Sequence, residues 1–260
     1  MSILQFSHAN GLPAACYRKM FTFLESDFEI RYIGTIGHDP RFPVTDCWPH
    51  LVDELIESIE RHGQPVLGVG HSLGGHLTAL AALRRPELFR AVVLLDSPIL
   101  GGWRGALFKM LKRFGLADYV TPAGATRGRR GAWASSDEAY AHFRDKPVFR
   151  DFDPECLRDY VTLGVRPCPE GVCLAFDPEV EYRIYRTFPH GLAKELPALK
   201  VPGGLICGLE SADARRMGLA SSRRYFRVVR TPGGHLFPFE HPGAAAQAIR
   251  EMAGTLGAAG

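Results

Sequence analysis

The chain has 260 residues, 46% of them apolar and 23% charged, with 31 basic against 28 acidic side chains and a formal net charge of +3. That length is one large domain or two small ones and buries about three quarters of the unfolded surface without a metal or disulfide staple. The composition excludes a disordered chain, and the near balance of charge gives no reason to expect a nucleic-acid partner. Uninterrupted apolar runs stay under ten residues, too short for a transmembrane helix. MSILQFSHANG lacks the basic and apolar regions of a secretory signal, so a cytoplasmic location is expected.

The first hundred residues alternate strand-like runs with amphipathic helices. SILQFS (2–7) is expected as a strand, and Tyr17, Met20, Phe21 and Leu24 then share one helical face. FEIRYI (28–33) is the next strand, and a loop rich in Pro and Asp leads into a helix through Trp48, Leu51, Val52, Leu55 and Ile59 that stops at Gly63. PVLGVGH (65–71) reads as a strand, and Leu77, Leu80 and Ala81 mark a helix ended by Pro86. AVVLL (91–95) is apolar throughout, as a strand covered on both faces must be. Such alternation implies an α/β fold, a mostly parallel twisted sheet with helices on both faces.

The pattern changes after Asp96. Between 98 and 200 the apolar stripes are helical, for example Leu107, Leu111 and Phe114, or Val180, Ile184 and Phe188, and no strand is expected. FDPE occurs at 152–155 and again at 176–179. Asp as N-cap, Pro at N1 and Glu in the first turn make it a helix start and not an internal repeat. TRGRRG (126–131), which holds Arg127, Arg129 and Arg130, is the only basic cluster. It reads as a solvated loop, with contact to an acidic substrate or a membrane surface as the other reading. After 200, GGLIC (203–207), a helix near 213–220, YFRVV (225–229) and a helix over 243–253 restore the α/β order, and GTLGAAG (254–260) is expected to fray. The chain thus divides into a core, 1–97 with 201–260, and an insertion, 98–200. Cys16, Cys47, Cys156, Cys168, Cys173 and Cys207 form no CxxC, and the ten histidines no HExxH, so unlinked thiols and no metal site are expected.

Gly70-His71-Ser72-Leu73-Gly74 is a G-x-S-x-G sequence directly after one expected strand and before one expected helix. A serine on so sharp a turn needs small neighbours, its Oγ stands clear of the sheet, and the N–H groups that follow face a developing oxyanion. GHSLGG after a strand, HANGLP near the amino terminus and GGHLFPFEHP near the carboxyl terminus together resemble the α/β-hydrolase superfamily, in order over almost the whole chain. The resemblance implies the α/β-hydrolase fold with 98–200 as a helical lid, Ser72 as nucleophile, and His235 as its base, with His241 the weaker alternative. It implies two backbone N–H groups for the oxyanion, those of Leu73 and Leu12. Asn10 or Ala9 stands in reserve, because Asn10-Gly11 occupies the place where His-Gly is common. His8 and His71 are expected to orient loops beneath the site, and His76 to pack or lie at the surface.

A base of this kind needs a carboxylate to hold its tautomer and stabilise its cation. The usual loop reads Gly208-Leu209-Glu210-Ser211-Ala212-Asp213, with Ser211 where an aspartate is expected. Asp96, closing AVVLL, is the preferred acid, since a carboxylate there is costly to bury unless paired; Asp213 and Glu210 are the alternatives. These residues describe a serine hydrolase that cleaves an ester through an acyl-enzyme, with no cofactor and a small apolar acyl substrate. A thioesterase, a lactonase or a carbon–carbon bond hydrolase uses the same residues. A binding protein that has lost catalysis is the reading from another class.

Overall fold

The computed structural model describes residues 1–217 and 219–259. Six strands, β1 (Ser2–Ser7), β2 (Phe28–Tyr32), β3 (Val66–His71), β4 (Phe89–Leu95), β8 (Gly203–Gly208) and β9 (Arg227–Thr231), form a sheet of order β2-β1-β3-β4-β8-β9. Every pairing in it is parallel. Side chains alternate between the two faces of a strand, and the two apolar cores follow that alternation. Leu67, Val69, Ala91, Val93 and Leu95 pack with α1 (Arg18–Thr22) and the last helix, Pro242–Thr255. Val66, Val92, Leu94 and Leu205 pack with α2 (Pro49–Glu60) and α3 (Leu73–Arg84). The chain runs from β1 outward to β2 and then back across to β3, so the strand order reverses between β1 and β3. Crevices at the carboxyl ends of strands flanking such a reversal are where open α/β sheets bind ligands.

Residues 98–200 carry helices, among them α4 (Gly102–Arg113), Pro154–Leu163 and Pro178–Arg186. Asp153 and Asp177 cap the last two by accepting backbone N–H bonds from Glu155 and Glu179, as FDPE implies. The segment also holds strands that its sequence did not announce: β5 (Ala132–Trp133), β6 (Val165–Cys168) and β7 (Gly171–Leu174), an antiparallel sheet of order β5-β7-β6. VRPC and GVCL are too short for a visible period of two, and Pro167 is tolerated because β6 is an edge strand. A disulfide joins Cys168 to Cys173 across this hairpin, which corrects the expectation of unlinked thiols. Cys16, Cys47, Cys156 and Cys207 are free.

Toward the carboxyl end the structure departs from expectation in three places. The last strand begins at Arg227 because Tyr225 and Phe226 fold back onto the carbonyl of Ser222. The helix near 213–220 is two helices, Ala212–Met217 and Ala220–Arg223, and position 218 lies outside the described residues. The tail packs, since Ala258 is buried and donates to Ala253, and Arg90 holds the carbonyl of Ala259; Gly260 lies outside the described residues. Among the described residues, no helix is long and apolar enough to cross a membrane.

Glycine contacts lock α3 against β1 and β3. A Cβ at Gly74 would lie 2.0 Å from the Ser7 carbonyl oxygen, and one at Gly70 would lie 2.2 Å from the Gly74 oxygen. Both obstacles are backbone and cannot swing away. Gly74→Ala is therefore expected to lose about 1–3 kcal/mol of stability, as overpacked sites do. Gly254→Ala, in the last helix with nothing within 4 Å, is expected to gain about 0.5–1 kcal/mol. Urea unfolding midpoints check the pair, and equal shifts in both would contradict the close approach.

Candidate active site

Ser72 stands alone between β3 and α3, with φ 52° and ψ −111°. A non-glycine residue at positive φ is strained, and the bond from its N–H to the Leu95 carbonyl (2.9 Å) helps hold it. Its Oγ lies 3.1 Å from Nε2 of His235, whose Nδ1 lies 2.7 Å from Oδ2 of Asp96. An ionised carboxylate only accepts. Nδ1 therefore carries the proton toward Asp96, and Nε2 is left to accept from the serine hydroxyl.

Asp96 ends β4 at φ 41°, and its side chain is fully buried. Its two oxygens are satisfied by donors from the loop after β8. The Gly208 N–H donates to Oδ1 (3.1 Å) and the Ser211 hydroxyl donates to Oδ2 (2.6 Å). Ser211, which occupies the usual place of the acid, thus serves here as a donor to the carboxylate on the neighbouring strand. Asp213 is also near His235, with Oδ2 3.4 Å from Nδ1, but it is 44% exposed. Glu210 is exposed and makes no contact with His235 among the described residues; its N–H bonds to Gly233. His241 is exposed at the start of the last helix and has no bond to Ser72 among the described residues.

The imidazole of His235 titrates above the ordinary histidine value. Burial pulls it down, but the hydrogen bond and charge of Asp96, joined by the charges of Asp213 and Glu240, outweigh that effect. The neighbouring histidines behave oppositely. Burial first, then the adjacent His235, pushes His71 down to about 3, and burial pushes His8 down to about 4. His71 is therefore neutral, and its tautomer follows from its partners. Nε2–H donates to the His235 carbonyl (2.9 Å), so Nδ1 accepts from the Tyr17 hydroxyl (2.7 Å), whose oxygen accepts the Ala9 N–H (3.1 Å). His8 bridges the Ala9 carbonyl and the Ile36 N–H, and His76 bonds to the Ser72 carbonyl.

These bonds decide which amides remain free. Ala9 gives its N–H to Tyr17, and Leu12 gives its own to the Ala9 carbonyl (3.2 Å). Leu12, preferred from the sequence as an oxyanion donor, is thus engaged in a turn, and so is Ala9 in its chain of bonds. Among the described residues, the Asn10 and Gly11 amides bond to nothing, and Leu73 is at the first position of α3, where an N–H has no partner within the helix.

The site opens into a cavity of about 870 Å³ between core and insertion, walled by Leu107, Phe108, Phe149 and Phe188 as well as by Ser72 and His235. Among the described residues, three three-residue groups could offer a metal their donor atoms. In one, Asp96 and His235 are already bonded to each other with Asp213 alongside. In the second, Asp46, Cys47 and His190, the Lys112 ammonium contacts all three. In the third, Cys168, Glu170 and Cys173, the two sulfurs are joined in a disulfide. None of these sets has the chemistry of an open metal site.

Comparison with known proteins follows this geometry. Residues 6–248 match the profile of the alpha/beta hydrolase family. A Type I acyl-CoA thioesterase, mpaH, of Penicillium brevicompactum is 26% identical over 168 residues, a match that covers 58% of this chain and 37% of that protein. Among solved structures, E-2-(acetamidomethylene)succinate hydrolase superposes with a TM-score of 0.76 at 19% identity, covering 97% of this chain and 91% of the other. The thioesterase domain from the curacin biosynthetic pathway superposes with a TM-score of 0.72 at 15% identity over 95% and 90%. At such identities the structural likeness speaks for the fold alone.

Removing Asp213 removes one of the charges that raise His235. Asp213→Asn is therefore expected to lower the His235 pKa while leaving the ring bonded to Asp96, read as the pH midpoint of its ring resonances in an NMR titration. An unchanged midpoint would show that the exposed carboxylate is screened by solvent.

Proposed function

Because the chain belongs to the alpha/beta hydrolase family, we propose that it is a serine hydrolase that cleaves a carboxylic ester through an acyl-enzyme. One observation carries this reading: the unbroken bonded series from Ser72 Oγ through His235 to a buried, doubly held Asp96. A turn serine without chemistry has no use for such an arrangement.

In the reaction, His235 Nε2 takes the Ser72 proton as Oγ attacks the substrate carbonyl. The carbonyl oxygen becomes an oxyanion, held by the N–H groups of Leu73 and Asn10, which are otherwise unoccupied. Asp96 stabilises the imidazolium. The imidazolium passes its proton to the leaving alcohol, and the acyl group stays on Oγ. Water then repeats the sequence, giving up its proton to His235 and releasing the acid. Proton acceptance needs neutral His235. Because its pKa is raised, the rate climbs with pH through a midpoint above the ordinary histidine value.

Residues 98–200 act in this reading as a cap, supported by the bond from the Asn10 side chain to the Glu181 carbonyl (2.9 Å) and by the apolar residues that this segment contributes to the cavity wall. An apolar acyl group fits that wall. A second reading is a thioesterase, favoured by the likeness to the Penicillium brevicompactum thioesterase. Matched oxygen esters and thioesters of one acyl group separate the two.

Ser72→Ala is expected to lower kcat on the order of a million-fold, and Asp96→Asn at least about a hundred-fold with a modest change in KM. A fluorophosphonate should label wild-type protein at Ser72 and leave Ser72→Ala unlabelled. No labelling and no turnover would mean a binding protein instead. An active Asp96→Asn beside a dead Asp213→Asn would move the acid to the later loop.

A further inference from the structure

Helix α4 carries two apolar stripes where a surface helix needs one. Gly105, Phe108 and the stem of Lys112, three and four residues apart, are buried against the protein. Trp103, Leu107, Met110 and Phe114 recur at i, i+4, i+7 and i+11, a spacing that sets them on the opposite side. They are exposed by 70%, 38%, 50% and 69%, and Leu116, Tyr119 and Val120 follow, also exposed. Seven of the thirteen large apolar side chains exposed among the described residues thus fall within 103–120. Scattered exposure needs no explanation, but a concentration of this kind marks an interaction surface. Trp103, Leu107, Tyr119 and Val120 also line the cavity that holds Ser72, so the patch is continuous with its mouth.

Charge selects what covers it. No acidic residue lies between Asp96 and Asp118, while Arg104, Lys109, Lys112 and Arg113 fall in that stretch. Beside α4 is a surface cleft of about 470 Å³ in which most cations are matched. There Lys112 contacts Asp46, Arg183 pairs with Glu179 (2.9 Å) and Arg186 with Asp118 (3.2 Å). Lys109 and Arg113 line the same cleft, are exposed, and have no ion pair among the described residues. At 3.6 residues per turn both stand on one flank of the exposed stripe, with Arg104 on the other. The cluster at 126–131 adds nothing here, because Arg129 turns inward to Glu181, Arg130 pairs with Glu138 and Arg127 lies over the Tyr182 ring.

A second copy docked two-fold on this face would bring these unmatched cations toward their own like. An apolar stripe flanked by unmatched cations instead suits a helix lying in the boundary of an anionic bilayer. With 12 residues, α4 is too short to cross the hydrocarbon core and lies on the surface. We infer that the outer face of α4 docks on an anionic lipid surface. The exposed stripe enters the boundary between headgroups and acyl chains, Lys109 and Arg113 meet lipid phosphates, and the mouth of the Ser72 cavity turns toward the bilayer. Docking itself does not depend on the serine-hydrolase reading. That reading adds only that an acyl substrate held in lipid reaches Ser72 without crossing water.

Trp48 and Trp133 are 1% exposed against 70% for Trp103, so tryptophan emission reports on this face. Vesicles of phosphatidylcholine alone, and of phosphatidylcholine with about one third phosphatidylglycerol, are titrated into the whole protein, with cosedimentation as a second measure. The anionic vesicles are expected to shift the emission to the blue and to bind about ten-fold or more tighter than the neutral ones, less so as salt is raised. Met110→Ser/Phe114→Ser and Lys109→Gln/Arg113→Gln should each weaken that binding about ten-fold. None of these four residues lines the Ser72 cavity, so fluorophosphonate labelling without lipid should be unchanged in both variants. Melting temperatures report whether the variants fold, and the comparison of the two vesicles needs no variant. Docking is refuted if neither vesicle is bound, if neutral vesicles bind as tightly as anionic ones, or if either folded variant binds like wild type. A lipid-free dimer in sedimentation velocity that Met110→Ser/Phe114→Ser dissolves would assign the face to a second copy and overturn the proposal. Labelling of Ser72 without docking loses only the lipid surface, and docking without labelling keeps the surface and removes the enzyme.

Discussion

The buried carboxylate of Asp96 sets the terms for the rest of the site. An ionised group with no access to solvent is tolerable only if its oxygens are met by donors, and the chain meets them from two places. Gly208 and Ser211 come from the end of β8 and the loop after it, and His235 comes from the loop after β9, while the Asp96 N–H holds the backbone by donating to the Ile206 carbonyl (2.8 Å). Satisfying one carboxylate therefore fixes the separation of two loops and the tautomer of the histidine between them. The strained backbone at Asp96 and at Ser72 is affordable because neighbours on adjacent strands over-determine both.

A second chain of bonds, made entirely of neutral groups, holds the opposite side. The Ala9 N–H, the Tyr17 hydroxyl, the His71 ring and the His235 carbonyl are linked in series. Each link has only one workable direction, because the carbonyl at one end only accepts and the amide at the other only donates. His71 must stay neutral for this chain to exist, and its burial keeps it so. The loop after β1, the serine turn after β3 and the histidine loop thus hold fixed relative positions. The same chain draws the Ala9 amide away, so that on this loop the Asn10 and Gly11 amides are the unbonded ones among the described residues.

Residues 98–200 provide one wall of the cavity. Aromatic and aliphatic side chains of 98–200 meet the carboxyl edge of the sheet, and Arg18 ties the two parts through a paired contact with the buried Asp159 (2.7 Å). Within that wall the Arg129–Glu181 pair rests on the loop that carries Asn10.

By itself the sequence determined the parts that depend on local pattern. Strands β1 to β4 and β8, the helices that follow β1, β3 and β4, the capped starts at Asp153 and Asp177, and the strand–serine–helix turn are written in nearest-neighbour chemistry. Where pattern was short or mixed it was silent, as in the edge strand with Pro167 and the hairpin closed by Cys168 and Cys173. The choice among Asp96, Asp213 and Glu210 had no local answer. All three are carboxylates at loop positions, and only the pairing of β4 with β8 and of β8 with β9 brings one of them to 2.7 Å of His235 with its other lone pairs filled. Which arginine of TRGRRG turns inward was likewise a tertiary decision. A hydrogen bond or an ion pair across more than fifty residues depends on where distant backbone segments pack, and no window of sequence contains both partners.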